Sequence, residues 1–208
     1  KEIPGRLRRL DWSRIWEWSA LPLGACALLA IFIAVMQVGL VSSTSVTPKA
    51  GPCLLIDPGH GGPNPGAVAN GVTEEYVNLN VSLELARLLR EAGFDVMIYR
   101  TTQNENVLPE RNADLRNRAA MANSWGADYF ISIHTNSSVI PSAQGVEAYV
   151  YRLGGAAEEL AQSIVDSVSD ELGSVNRGVM AANFVVLRRT EMPAVLVELG
   201  YLSNPTEA

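Results

Sequence analysis

Cys53-Leu54-Leu55-Ile56-Asp57-Pro58-Gly59-His60-Gly61-Gly62 is the stretch that decides the fold. Its apolar run does not alternate, so it reads as a strand buried on both faces, and Pro58-Gly59 ends it. Residues 74–92 then read as a helix, with Thr73 as N-cap and Gly93 as its stop. Asn80, Glu84, Arg87 and Glu91 form its polar stripe, and Val77, Val81, Leu85 and Leu88 an apolar side. Further along the chain, residues 94–99 read as a strand and 109–124 as a helix stopped by Gly126. Residues 129–133 and 146–151 read as strands. Ala157, Leu160, Ala161, Ile164, Val168 and Leu172 space a third helix. Residues 184–187 and 194–197 read as the last strands. Strands alternating with helices predict an α/β fold, a mostly parallel twisted sheet with helices on both faces. Ligands of such sheets bind outside the carboxyl ends of the strands.

Charge divides the chain more sharply than composition does. The 208 residues are 48% apolar and 18% charged, which excludes a disordered chain. The net charge of −6 and a sequence pI near 5.0 argue against nucleic-acid binding, which calls for a basic footprint. Residues 1–18 hold five Lys/Arg against three Asp/Glu and form a basic head. Residues 19–41 carry no charge. Their apolar core, residues 21–41, is long enough for a membrane-spanning helix, and Trp12, Trp16 and Trp18 stand at its entrance. The positive-inside rule keeps the N-terminus in the cytoplasm and exports the body of the chain. The expectation is one N-terminal transmembrane helix, or a signal segment if it is cleaved. The anchored domain is then extracytoplasmic, and a cleaved one secreted. Residues 42–52 read as a linker and 53–208 as an acidic globular body. The ending at Pro205-Thr206-Glu207-Ala208 reads as a C-terminal truncation. Two cysteines, Cys26 and Cys53, make no disulfide framework, and no C-x-x-C is present.

The chain has only two histidines, His60 and His134, and each follows a predicted strand closely. Both are thereby placed at the functional edge of the sheet. A catalytic zinc takes three protein ligands, and two His with one Glu is an established set. Glu74 and Glu75 open the helix after the first strand, although acids there also stabilise a helix dipole. Glu198 is the other acid in reach, at the end of an apolar strand where a carboxylate is costly to bury without a purpose. Asp57 can orient His60 or cap the turn. Gly59, Gly61, Gly62 and Gly66 fit neither nucleotide-loop spacing, and no Lys follows Lys49. No G-x-S-x-G is present to carry a serine nucleophile.

Four ordered motifs resemble a known family, the zinc-dependent N-acetylmuramoyl-L-alanine amidases of the type 3 domain. Asp57-Pro58-Gly59-His60-Gly61-Gly62 is similar to its opening motif, and Glu74-Glu75-Tyr76-Val77-Asn78-Leu79 to its second. Ile131-Ser132-Ile133-His134-Thr135-Asn136, with Gly145-Val146-Glu147 after it, resembles the third. Met192-Pro193-Ala194-Val195-Leu196-Val197-Glu198-Leu199-Gly200-Tyr201-Leu202-Ser203-Asn204 resembles the fourth. Glu75 departs from a usual Lys and Tyr76 from a common Asp. The resemblance covers residues 53–208. It implies that His60, Glu74 and His134 bind Zn2+ and that Glu198 is the catalytic carboxylate. It also implies hydrolysis of the amide between N-acetylmuramic acid and L-alanine in peptidoglycan. Asn136, Arg188 and Arg189 are expected to hold substrate. The anchor followed by a lone catalytic domain resembles the spore-cortex amidases, and a protein activator is an expected partner. Two other readings share the fold: a zinc peptidase of the stem peptides, and a non-catalytic wall-binding domain.

Overall fold

The computed structural model describes residues 51–208. The expected membrane segment, basic head and most of the linker lie outside the described residues, as does Cys26. Among the described residues no helix is long and apolar enough to cross a membrane.

Eight strands and four helices follow one another among the described residues: β1 (Cys53–Pro58), β2 (Val68–Ala69), β3 (Val72–Thr73), α1 (Glu74–Glu91), β4 (Asp95–Ile98), α2 (Arg111–Trp125), β5 (Tyr129–Asn136), β6 (Val146–Val150), α3 (Gly155–Leu172), β7 (Asn176–Ala181), α4 (Val185–Arg189) and β8 (Ala194–Tyr201). Six of the strands form one sheet in the order β4-β1-β5-β8-β6-β7, and β2 and β3 make a small separate hairpin. The first four strands of that order are mutually parallel. β6 turns antiparallel to β8, and β7 runs parallel to β6. The sheet is therefore mostly parallel but mixed.

Side-chain alternation assigns the helices to both faces, as expected. Leu54, Ile56, Ile131, Ile133, Val195 and Val197 point into one core with α1 and α3. Leu55, Phe130 and Leu196 point into the other, with Ala122 of α2 and Val186 and Leu187 of α4. This is why the strands carry unbroken apolar runs: both faces are covered. The α1 apolar stripe is Val81, Leu85, Ala86 and Leu89, with Val77 and Leu88 half-buried at its margin. Arg87 pairs with Glu84 and, at 2.6 Å, with Glu91 along the exposed side.

Local signals set the helix ends. The Glu110 side chain accepts from the backbone N–H of Asn112 (2.8 Å) and Ala113 (2.6 Å) and caps α2. Gly126, at φ +72°, ends it in the left-handed conformation that glycine tolerates best. Thr73 stands at the N-cap of α1, but its hydroxyl makes no capping bond.

Three expectations need correction. The run 184–187 is not a strand. It enters a single turn of helix, α4, with Phe184 accepting from the Arg188 N–H at 2.9 Å and with neighbouring Val186 and Leu187 both buried. Short apolar runs do not distinguish the two structures. β7 has no counterpart among the expected strands, because Asn176-Arg177-Gly178 breaks any apolar alternation; it is an edge strand bonded only to β6. β8 continues to Tyr201, so Glu198 lies within the strand rather than at its end.

Candidate active site

The chain turns sharply where β1 leaves the sheet. His60 sits at φ +62°, a left-handed conformation that non-glycine residues adopt at a cost of about 1–3 kcal/mol when surroundings enforce it. His134 lies within β5, two residues before its carboxyl end, rather than in the following loop. Glu74 is the first residue of α1, delivered by the β2–β3 hairpin.

These three side chains converge. His60 Nε2 lies 3.1 Å and His134 Nδ1 2.9 Å from the same atom, Glu74 Oε1. The two imidazole rings stand edge to face, with centroids 5.0 Å apart. Ligand atoms of all three fall within 4.8 Å of one another, a group able to hold a metal ion. Tetrahedral bonds of 2.0–2.1 Å need ligands about 3.3 Å apart, close to these separations. The other His60 nitrogen, Nδ1, is buried without a hydrogen-bond partner. Two imidazoles and a carboxylate with a remaining open position suit a zinc-type centre. Glu75 does not join them; its carboxylate accepts from Gln103 Nε2 at 2.7 Å.

Glu74 is held from several sides. Its Oε2 accepts from the Ala67 N–H at 2.9 Å and its Oε1 from Asn78 Nδ2 at 3.3 Å. Burial alone would raise its pKa, but the bonds to His134 and His60 outweigh that and hold it well below the ordinary 4.5. Close packing depends on two glycines. A Cβ on Gly59 would meet the His134 ring at 2.4 Å, and one on Gly66 would meet Glu74 Oε2 at 2.4 Å.

Glu198 stands in register with His134 across β5 and β8, and with Glu147 across β8 and β6. Residues paired in this way share a face of the sheet. Its Oε2 is buried without a partner. Desolvation, then the nearby charges of Glu74 and Glu147, push its pKa up to about 9. The site thus holds one carboxylate fixed in its charged form and, in register with His134, another inclined to keep a proton.

The remaining predicted residues fall elsewhere. Asn136 turns its amide to Glu147, with Nδ2 donating to Oε1 at 2.7 Å. Buried Glu147 also accepts from Tyr149 Oη (2.7 Å) and from Arg177 Nε (2.6 Å). Arg188 bonds Asn183, and the Arg189 carbonyl accepts from Asn123 in the last turns of α2. Both arginines are exposed on α4 and neither bonds the triad. Asp57 does not touch the His60 ring. Its two oxygens accept from Arg118 Nη1 and Ser132 Oγ, each at 2.7 Å.

The sequence reading missed Arg100 and Arg118, which are almost fully buried beneath the His60 loop. Burial lowers the pKa of Arg100, whereas Arg118, also desolvated, is raised by Asp57 and Asp114. A sequence signal existed for Arg118: it lies one turn from both Asp114 and Ala122, on the stripe that α2 buries.

Comparison with known proteins identifies the family and the fold. The family profile described as N-acetylmuramoyl-L-alanine amidase matches residues 54–208. The sporulation-specific N-acetylmuramoyl-L-alanine amidase of Bacillus subtilis (strain 168) is 37% identical over 158 residues, 74% of this chain. The chain spans 58% of that relative's length. The N-acetylmuramoyl-L-alanine amidase of Clostridium difficile 630 superposes with a TM-score of 0.70 at 31% identity, covering 76% of this chain and 84% of that one. The CwlD amidase of Clostridioides difficile, solved in complex with the GerS lipoprotein, gives 0.69 at 27% identity, covering 76% and 86%.

Proposed function

The chain belongs to the N-acetylmuramoyl-L-alanine amidase family, and on that basis we propose that it hydrolyses the amide between N-acetylmuramic acid and L-alanine in peptidoglycan. One observation carries the chemistry: two imidazoles and a carboxylate converge at the carboxyl edge of the sheet, with Glu198 in register with one of them. His60, Glu74 and His134 would hold the zinc. When bound, zinc supplies Lewis acidity for activating water and polarising a carbonyl.

Glu198 carries the proton. Without metal its raised pKa keeps it protonated; a dication at the triad would favour the carboxylate, which can take a proton from water and return it to a leaving amine. Glu147 acts behind it, adding negative charge beside Glu198 and fixing Asn136, which thereby shapes the substrate side of β5. Arg188 and Arg189 are exposed cations available to a stem-peptide carboxylate away from the triad.

We place the catalytic domain outside the cytoplasm, tethered by residues 19–41, on the charge pattern of the sequence. A role in the spore cortex is supported by the sporulation-specific relative, and a protein activator by the lipoprotein complex of CwlD.

Product analysis tests the function. Purified peptidoglycan treated with the zinc-loaded protein is expected to yield new N-terminal L-alanine by mass spectrometry. A new terminus elsewhere in the stem peptide replaces the amidase reading with a peptidase. No cleavage by folded, metal-loaded protein replaces it with a binding role. Glu198→Gln is expected to keep zinc and lose about 10²–10⁴ in turnover; near-normal turnover removes Glu198 from its role.

A further inference from the structure

We propose that Arg118 is a positioning residue for metal binding: it grips the backbone on both sides of Gly59 and holds His60 in the left-handed conformation that aims its ring at Glu74. The proposal rests on the reading of His60, Glu74 and His134 as metal ligands.

Arg118 is 2% exposed. Its Nε donates to Asp114 Oδ2 at 2.9 Å and its Nη1 to Asp57 Oδ1 at 2.7 Å. Those two carboxylates already compensate a buried guanidinium, which is costly only when unpaired. Yet two further bonds go to the loop: Nη1 to the Pro58 carbonyl and Nη2 to the His60 carbonyl, each at 2.8 Å. They satisfy donors that the two carboxylates leave over, and they do so on the backbone that carries His60.

A second buried guanidinium completes the grip. Arg100, fully buried, donates from Nη2 to the Gly59 and Glu75 carbonyls at 3.0 Å and from Nε to Pro58 at 3.2 Å. The carbonyls of Pro58, Gly59 and His60 are thus all taken by arginine N–H groups. Arg100 also ties this loop to the first turn of α1, where Glu74 begins the helix. Guanidinium is required because its rigid fork of five donors spans carbonyls and carboxylates together, which an ammonium cannot do.

The test is Arg118→Lys in the full chain, with two readouts that do not depend on turnover. Zinc affinity, measured by competition with a chromophoric chelator, is expected to fall about 10–100-fold. Histidine-selective labelling gives two signals, because the chain has only two histidines. In metal-free protein the His60 signal is expected to lose its positive-φ coupling signature. Val168→Ala, a cavity in the core under α3, is expected to lower Tm while keeping zinc affinity and the His60 signature. Zinc affinity within twofold of wild type, or an unchanged His60 signature, in Arg118→Lys overturns the proposal and leaves Arg118 as a packing residue. If Arg118→Lys does not fold, Asp57→Asn is read by the same measures. It releases one anchor of Arg118 at constant volume, and a loss of zinc affinity of at least threefold with a shifted His60 signal is expected; no change in either overturns the proposal. If wild-type protein binds no zinc, the ligand reading falls, and the His60 signature in metal-free protein alone decides whether Arg118 positions it.

Discussion

Glu74 and Glu198, the two acids of the histidine cluster and its neighbouring strand, titrate in opposite directions. Glu74, lowered by its histidine bonds, contributes stability that is present above its unfolded pKa near 4.5 and is lost as the pH falls below it. Glu198, raised to about 9 chiefly by burial, behaves in reverse. Between pH 4.5 and 9 the native state keeps a proton that the unfolded chain releases, so stability falls as pH rises through that window. Metal-free Glu198→Gln is therefore expected to melt with wild type at about pH 5 and above it at about pH 8. Thermal melts of both proteins at the two pH values check this, and equal Tm values at the higher pH would show that Glu198 is not held in its neutral form. A dication held beside it favours the charged carboxylate, so zinc loading is expected to remove most of the difference.

At the scale of elements, legibility followed how completely a residue's neighbours were local. α1 and α2 were readable because periodicity, acids in a first turn and a following glycine are local signals. The two histidines were readable because strand ends position ligands in α/β sheets. β7 and α4 were not, since the first depends on pairing with β6 and the second on packing against α2. Arg100 and Arg118 escaped for the same reason: an arginine on a helix or after a strand looks solvated until the loop above it is in place. Glycine at 66 belongs to this scale too. It enters the hairpin at φ +70°, and an added Cβ there would press on the Glu74 carboxylate at 2.4 Å. Gly66→Ala is expected to fold with a Tm lowered by several degrees and to bind zinc at least tenfold more weakly. Wild-type zinc affinity, measured by chelator competition, would mean that the hairpin yields rather than the carboxylate.

At the scale of the whole molecule the site is a junction. The loop after β1, the start of α1 and the end of β5 meet at His60, Glu74 and His134, which come from segments up to 74 positions apart. A metal bound there by the native state alone adds RT ln(1 + [L]/Kd) to stability, about 2.7 kcal/mol at a hundredfold excess over Kd. For a domain of this size that corresponds to a rise in Tm of about 5–10 °C. The rise should grow with free zinc and vanish on chelation, because it is mass action rather than a change of fold. His134→Ala removes one ligand while leaving the other two on their own elements, so it is expected to fold and to lose most of the increment. Hydrogen exchange locates the effect: zinc should slow amides from Gly59 to Asn78 and in β5 more than those of α3, which contributes no residue to the triad. Equal increments in wild type and His134→Ala would mean that the stabilising ion binds elsewhere, and the convergence of the three side chains would then have to be read as a hydrogen-bond cluster.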